Sequence, residues 1–135
     1  MKIKRVEHIA IAVDSIQQSL GLMRDTFGLD LEYEEQIGET RLAMLPVGQT
    51  YIELLEGQGP SSGVTKWIAE KGTGLFHICF EVEDIEDAIA ELKAKNVKLQ
   101  SDNWLDGHAG SKIVFLDPAA TGNVVIELAE LAPGH

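Results

Sequence analysis

With 135 residues, the chain is long enough for one domain, or two small fused modules, with a substantial hydrophobic core. Its 44% hydrophobic and 24% charged residues are typical of a soluble globular protein. The net charge of −11 excludes nucleic acid and anionic membrane surfaces as expected partners, since both attract clustered Lys and Arg.

Two further features favour a cytoplasmic protein. The sequence shows no long apolar run and no signal peptide, because residues 1–5 lead directly into a strand-like segment. The one cysteine, Cys79, cannot form an internal disulfide, which fits a reducing compartment. Since Cys79 lies within an apolar strand, we expect it to be a buried structural thiol.

The first part of the chain predicts the order β-α-β-β-β. A strand over residues 5–13 precedes an amphipathic helix over 15–27, which Asp14 or Ser15 caps and Gly28 ends. Three further strands are predicted, over residues 29–36, 40–45 and 50–56, with a turn at 46–48.

A loop over residues 57–63 and a short helix over 64–71 connect this part to a second β-α-β-β-β segment. Its predicted elements are a strand at 77–82, a helix from Asp84 to Asn96, strands at 97–100, 111–116 and 124–129, a loop at 102–110 and a turn at 117–123. We therefore expect a single domain over residues 1–135, with modules at 1–57 and 74–131 and a linker helix within 58–73.

The two modules repeat each other in sequence. His8-Ile-Ala-Ile-Ala-Val13 resembles His77-Ile-Cys-Phe-Glu-Val82, and Tyr51-Ile-Glu-Leu-Leu55 resembles Val125-Ile-Glu-Leu-Ala129. The two histidines are 69 positions apart (77 − 8) and the two glutamates 74 (127 − 53). Such self-similarity predicts an internal duplication.

Each module thus carries one His on its first strand and one Glu on its last. Alone, such a His is usually a core residue, and Glu53 could simply face solvent, because strand neighbours point to opposite sides. The repetition favours a metal site, provided that the two modules pair about a pseudo-twofold axis. Two imidazoles and two carboxylates suit a divalent ion such as Co²⁺, Ni²⁺, Mn²⁺ or Zn²⁺ with open water positions.

The chain resembles the vicinal oxygen chelate superfamily and, within it, the methylmalonyl-CoA epimerase family. The resemblance covers nearly the whole chain, and the stretches that carry it are residues 8–13, 47–56, 66–74 with His77, and 121–128. It implies an α+β fold in which two paired βαβββ modules form a curved mixed sheet around a metal site. The implied metal ligands are His8, Glu53, His77 and Glu127.

The resemblance also implies a reaction, the metal-dependent epimerisation of methylmalonyl-CoA or a related 2-substituted acyl-CoA through an enolate. Glu127 is the implied base on one side of the substrate. Family members with a second carboxylate carry it on the strand matching residues 41–45, which has none here. Glu39 is the nearest candidate, although it lies one or two positions out of register.

Substrate-binding residues are also implied. Lys66, Lys71 and Lys112 are candidate contacts for the coenzyme A phosphates, and His108 lies in a loop that the family places over the substrate. The family often has His-Pro-Lys where residues 117–119 read Asp-Pro-Ala, which allows either a different acyl group or weaker binding of phosphate.

Three other functions remain open. Glyoxalase I would use the same four ligands, but it needs basic residues for glutathione, and the first helix offers only Arg24. A drug-sequestering module would generally lack the metal ligands, and a dioxygenase would leave Glu53 unexplained. Since members of this superfamily commonly dimerise, we also expect a homodimer.

Overall fold

The computed structural model describes residues 1–135, which pack into two compact units. The first unit is His8–Phe76, and the second unit is Met1–Glu7 together with His77–His135. The first strand of the chain therefore contributes its opening residues to the second unit and its closing residues to the first.

The first unit has the predicted β-α-β-β-β order, followed by a helix. Its elements are β1 (Ile3–Ala12, from His8 onward), α1 (Ile16–Phe27), β2 (Tyr33–Ile37), β3 (Thr40–Val47), β4 (Thr50–Gly57) and α2 (Gly63–Lys71). The strands lie in the order β2-β3-β4-β1, with β1 parallel to β4 and the other pairs antiparallel.

The second unit repeats this arrangement. Its elements are β5 (Gly74–Val82, from His77 onward), α3 (Ile85–Ala94), β6 (Leu105–Asp106), β7 (Lys112–Phe115) and β8 (Ile126–Glu130), with short 3₁₀ helices at His108–Gly110 and Pro118–Ala120. The strand order is β5-β8-β7-β6, with β5 parallel to β8 and the other pairs antiparallel. The strand pairing of one unit thus matches that of the other.

The strand predicted at residues 97–100 is wrong. This segment forms only an isolated bridge between Leu99 and Leu116, and β6 lies instead within the predicted loop at 102–110. Val97 and Leu99 pack against the apolar cluster beneath α3. The alternation of apolar and polar residues over 97–100 therefore reflects the partial burial of a connecting segment and not strand pairing.

The predicted helix ends are confirmed. Ser15 caps α1 by accepting a hydrogen bond from the N–H of Gln18, and Asp84 caps α3 in the same way. Gly28 ends α1 with a φ of 68°, a left-handed conformation that glycine adopts without steric cost.

A glutamate from the last strand of each unit also binds the start of that unit's first helix. The N–H of Ile16 donates to Glu56 Oε1 at 2.9 Å, and the N–H of Ile85 donates to Glu130 Oε1 at 2.9 Å. A carboxylate at a helix N-terminus satisfies an otherwise unpaired N–H and interacts favourably with the helix dipole. These contacts fix α1 and α3 against one face of their sheets.

Apolar side chains fill the space between helices and sheets. One cluster lies beneath α1 and includes Ile16, Ala43, Leu45 and Leu54. A second, on the opposite face of the same sheet, joins Ala10, Ala12, Leu42, Met44 and Leu55 to Val64 of α2. In the second unit, the cluster beneath α3 includes Val82, Ile85, Val114 and Leu128.

None of the three helices combines the length and the apolar character that are needed to span a membrane; the longest has 12 residues.

Candidate functional site

In the first unit, the structure brings His8 and Glu53 together. His8 Nε2 lies 3.2 Å from Glu53 Oε1, and both residues are buried, with 0% and 4% of their surface exposed. Both belong to the sheet face opposite α1, because Ala10, Tyr51 and Leu55 lie two positions away and pack into the cluster on that face. Glu53 is therefore not a solvent-facing residue.

In the second unit, His77 and Glu127 form the matching pair. His77 Nε2 lies 3.1 Å from Glu127 Oε1, and both side chains are buried. The ring of Phe115 packs edge-on against His77, with ring centroids 5.0 Å apart and an angle of 88° between the planes. This contact restricts the orientation of the imidazole.

The two pairs arise from the same register. Glu53 of β4 lies opposite Ala10 of β1, two residues after His8. Glu127 of β8 lies opposite Cys79 of β5, two residues after His77. The duplication inferred from sequence therefore extends to the position of each carboxylate relative to its imidazole.

Each pair fits two neighbouring ligands of one metal ion. Nitrogen and carboxylate ligands bind first-row ions at about 2.1 Å, so adjacent ligands of an octahedral ion lie about 3.0 Å apart. The observed nitrogen–oxygen distances are 3.2 and 3.1 Å. Both histidines present Nε2, and both carboxylates present one oxygen at this distance, so the donor set of each unit suits a divalent ion.

Glu39, the predicted opposing base, lies in the turn between β2 and β3. Its side chain is exposed, and Oε1 accepts a hydrogen bond from the N–H of Ser61 at 2.9 Å. The carboxylate also packs against Gly59, where an added Cβ would clash with Oε1. Glu39 therefore holds the loop that precedes α2, and its catalytic role stays a prediction.

The predicted substrate-binding lysines occupy different positions. Lys66 and Lys71 are exposed on α2 of the first unit. Lys112 is half-buried on β7 of the second unit, with its ammonium nitrogen 4.9 Å from the ring centre of Trp104. This cation–π contact holds Lys112 in a defined orientation.

His108 is buried rather than displayed on a loop surface. Its Nε2 lies 2.9 Å from Glu7 Oε1, and its Nδ1 lies 3.5 Å from the hydroxyl of Ser111. His108, Glu7 and Ser111 are each at most 5% exposed. The loop that contains His108 is therefore fixed to β1 by a buried polar contact.

Arg5 extends this polar cluster. Its guanidinium donates to Glu81 at 2.7 Å and lies 3.8 Å from the Glu7 carboxylate. Sequence reasoning missed Glu7, although a charged residue beside His8 within a predicted strand was a visible signal. Its partner could not be inferred, because Glu7 and His108 are 101 positions apart (108 − 7).

Comparison with known proteins identifies the superfamily and the relatives that this chain resembles. The model of the Glyoxalase/Bleomycin resistance protein/Dioxygenase superfamily matches residues 7–115. Mitochondrial methylmalonyl-CoA epimerase of Dictyostelium discoideum is 34% identical over 95% of this chain and 79% of its own length. The ethylmalonyl-CoA/methylmalonyl-CoA epimerase of Cereibacter sphaeroides is 31% identical over 96% of this chain and 99% of its own length.

Solved structures of epimerases share the fold. A methylmalonyl-CoA epimerase in complex with methylmalonyl-CoA and ammonium matches with a TM-score of 0.93 and 31% identity, covering 98% of this chain and 97% of that one. A variant of the Streptomyces coelicolor enzyme in complex with 2-nitronate-propionyl-CoA matches with the same TM-score, identity and coverage. These likenesses support the expected glyoxalase-like fold and the epimerase interpretation over glyoxalase I.

The contact between Glu7 and His108 generates a stability prediction. We expect His108→Ala to lower the free energy of unfolding by about 3 kcal/mol, because it leaves a buried carboxylate without its imidazole partner. Adding Glu7→Gln should cost less than the sum of the two single changes by about 1 kcal/mol. Urea denaturation of the wild type, both single variants and the double variant measures this coupling, and additive costs would contradict it.

Proposed function

The chain belongs to the Glyoxalase/Bleomycin resistance protein/Dioxygenase superfamily, and we propose that it epimerises methylmalonyl-CoA or a closely related 2-substituted acyl-CoA. The observation that carries this proposal is the buried His–Glu pair that recurs at the same register in both units. The relatives support the substrate class, since they are named as epimerases of methylmalonyl-CoA and, in one case, also of ethylmalonyl-CoA.

We further propose that His8, Glu53, His77 and Glu127 bind one divalent ion. The support is the donor set, two imidazole nitrogens and two carboxylates, together with the matching nitrogen–oxygen distances in the two pairs. Co²⁺, Ni²⁺, Mn²⁺ and Zn²⁺ are all compatible with these ligands. When bound, such an ion supplies Lewis-acid stabilisation of the negative charge that develops on the substrate oxygens.

Glu127 is the proposed base on one side of the substrate. Its carboxylate removes the C2 proton, and the electron pair of the C–H bond moves onto the neighbouring carbonyl oxygens to give an enolate. A second group then returns a proton to the other face of C2, so one proton leaves and one is gained. Glu127 is buried, and Phe115 lies directly opposite it on β7, so water has little access to this carboxylate.

Basic side chains are proposed to bind the coenzyme A portion. Lys66 and Lys71 lie exposed on the same short helix, where ammonium groups are accessible to phosphates. Lys112 is held by Trp104, and a pre-oriented cation loses less conformational entropy on binding. His108 is also a proposed substrate contact, because the resemblance to the family places its loop over the substrate.

Metal binding provides the first test of this function. Purified protein dialysed after loading with Co²⁺ should retain about one ion per chain, and added Co²⁺ should raise the melting temperature, because it binds only the folded state. We expect His77→Ala to lower the affinity by at least about 100-fold, since changes in supporting residues alone cost 10- to 100-fold. His135→Ala is the matched control; full occupancy in His77→Ala would contradict the site.

Catalysis provides the second test. In D₂O, the wild type should exchange the C2 proton of methylmalonyl-CoA and interconvert its epimers, both measured by NMR. Glu127→Gln should lower both rates by more than 100-fold, because it removes a proton-transfer group and weakens the metal site together. A wild type that lacks C2 exchange but isomerises the hemithioacetal of methylglyoxal and glutathione would replace the epimerase proposal with glyoxalase I.

We also propose a homodimer. Several apolar side chains of the first unit are exposed, including Phe27 at 66% and Leu22 at 60%, and β2 is an edge strand of that unit's sheet. Sedimentation velocity at micromolar concentration should give about twice the chain mass of 14.7 kDa. Sedimentation at the mass of a single chain over this range would contradict the proposal.

A cytoplasmic location is the last part of this proposal. Its support is the single cysteine, which is free and buried, since a reducing compartment keeps thiols in that form. Several relatives are named as mitochondrial proteins, and the mitochondrial matrix is also compatible with a free thiol.

A further inference from the structure

Epimerisation needs a second proton-transfer group, and β3 does not supply one. The side chains of β3 that face the same way as Glu53 are those of Thr40, Leu42, Met44 and Pro46, and none of them is a carboxylate. Leu42 and Met44 are buried and apolar. Met44 lies directly opposite Glu53, and Leu42 lies opposite Leu55. The proposed function therefore requires an acid–base group from another element.

The neighbouring strand β2 carries a carboxylate on this face. Tyr33 and Ile37 both pack against the cluster that contains Leu42, Met44 and Leu55. Glu35 lies two positions from each of them, so its side chain projects to the same face of the sheet. The exposure pattern agrees, since Tyr33, Glu35 and Ile37 are half-buried while Glu34 and Gln36 are exposed.

The strand register places Glu35 beside Leu42 of β3. Glu35 pairs with Leu42, which in turn pairs with Leu55. Directly opposite residues of antiparallel strands have Cβ atoms about 5 Å apart, a distance that a glutamate side chain spans. The adjacent strand therefore brings a carboxylate into the same row as Leu42 and Leu55.

The distance from Glu53 suits a shared substrate. Glu35 lies two strands and two residues from Glu53, about 12 Å between Cα atoms by standard spacings. A glutamate side chain extends about 5 Å from its Cα. Both side chains project from the same face of the sheet, so a substrate that is bound at Glu53 and extends along this face passes beside Glu35.

Glu39 is less suited to this role. It lies in an exposed turn rather than within a strand, and its carboxylate is engaged by the N–H of Ser61. Moving it toward the substrate would release the loop before α2. Glu35 lies within a strand, and the pleat of β2 directs it to the face that carries His8 and Glu53.

We propose that Glu35 is the opposing acid–base residue of the epimerase reaction. This inference rests on the proposed function. As a carboxylate, Glu35 removes the C2 proton from one epimer, and the C–H electron pair forms the enolate while Glu127 in its acid form returns a proton to the opposite face. In the reverse direction, the two glutamates exchange roles, so no further reactant is required.

The test separates hydrogen exchange from inversion at C2. Co²⁺-loaded Glu35→Gln is incubated in D₂O with each epimer of methylmalonyl-CoA, and deuterium uptake and epimer ratio are followed by NMR. We expect inversion to fall by at least about 100-fold, the usual contribution of one acid–base group. Exchange should survive for the epimer that Glu127 deprotonates, and metal content and melting temperature should match those of the wild type.

Glu34→Gln is the matched control, because Glu34 is the adjacent carboxylate and lies on the opposite face, 3.2 Å from Arg41. It should retain wild-type inversion. Inversion within twofold of the wild type in Glu35→Gln would overturn the proposal, as would loss of metal or of exchange from both epimers. Selective loss of inversion in Glu39→Gln instead would assign the role to Glu39. A wild type without any exchange would refute the proposed function itself.

Discussion

The burial of a carboxylate beside an imidazole is the constraint on which each unit depends. Glu53 and Glu127 are each 4% exposed, and a buried ionised carboxylate costs several kcal/mol unless it is paired. His8 and His77 supply that pairing from the neighbouring parallel strand. The strand register must therefore be held closely, since a shift of one residue would turn each glutamate to the other face of its sheet.

One short motif serves both faces of the closing strand in each unit. In Ile-Glu-Leu-x-Glu, the two glutamates are three residues apart, so they point to opposite sides of the strand. Glu53 and Glu127 pair with histidines, while Glu56 and Glu130 bind the first N–H of a helix. The same five residues thus position the candidate metal ligand and lock the helix that covers the opposite face.

The surroundings of the two pairs differ although their register is the same. Around His8 and Glu53, the sheet face is apolar, and Glu35 is its half-buried carboxylate on β2. The second unit instead contains a charged cluster in which Arg5 contacts Glu81 and Glu7. The two units therefore share a strand register but differ in the charged side chains that they carry.

The sequence alone determined the duplication, the strand and helix order of the first unit, the helix caps and the four candidate ligands. These follow from local chemistry: apolar periodicity, capping residues and a repeated His and Glu. Only the tertiary structure decided the pairing of Glu7 with His108, the position of β6 and the face on which Glu35 lies. The Glu7–His108 pairing depends on contact between distant segments of the chain. The face of Glu35 and the position of β6 depend on strand register. The residue pattern does not specify that register, because Glu35 lies among other polar residues and β6 has only two residues.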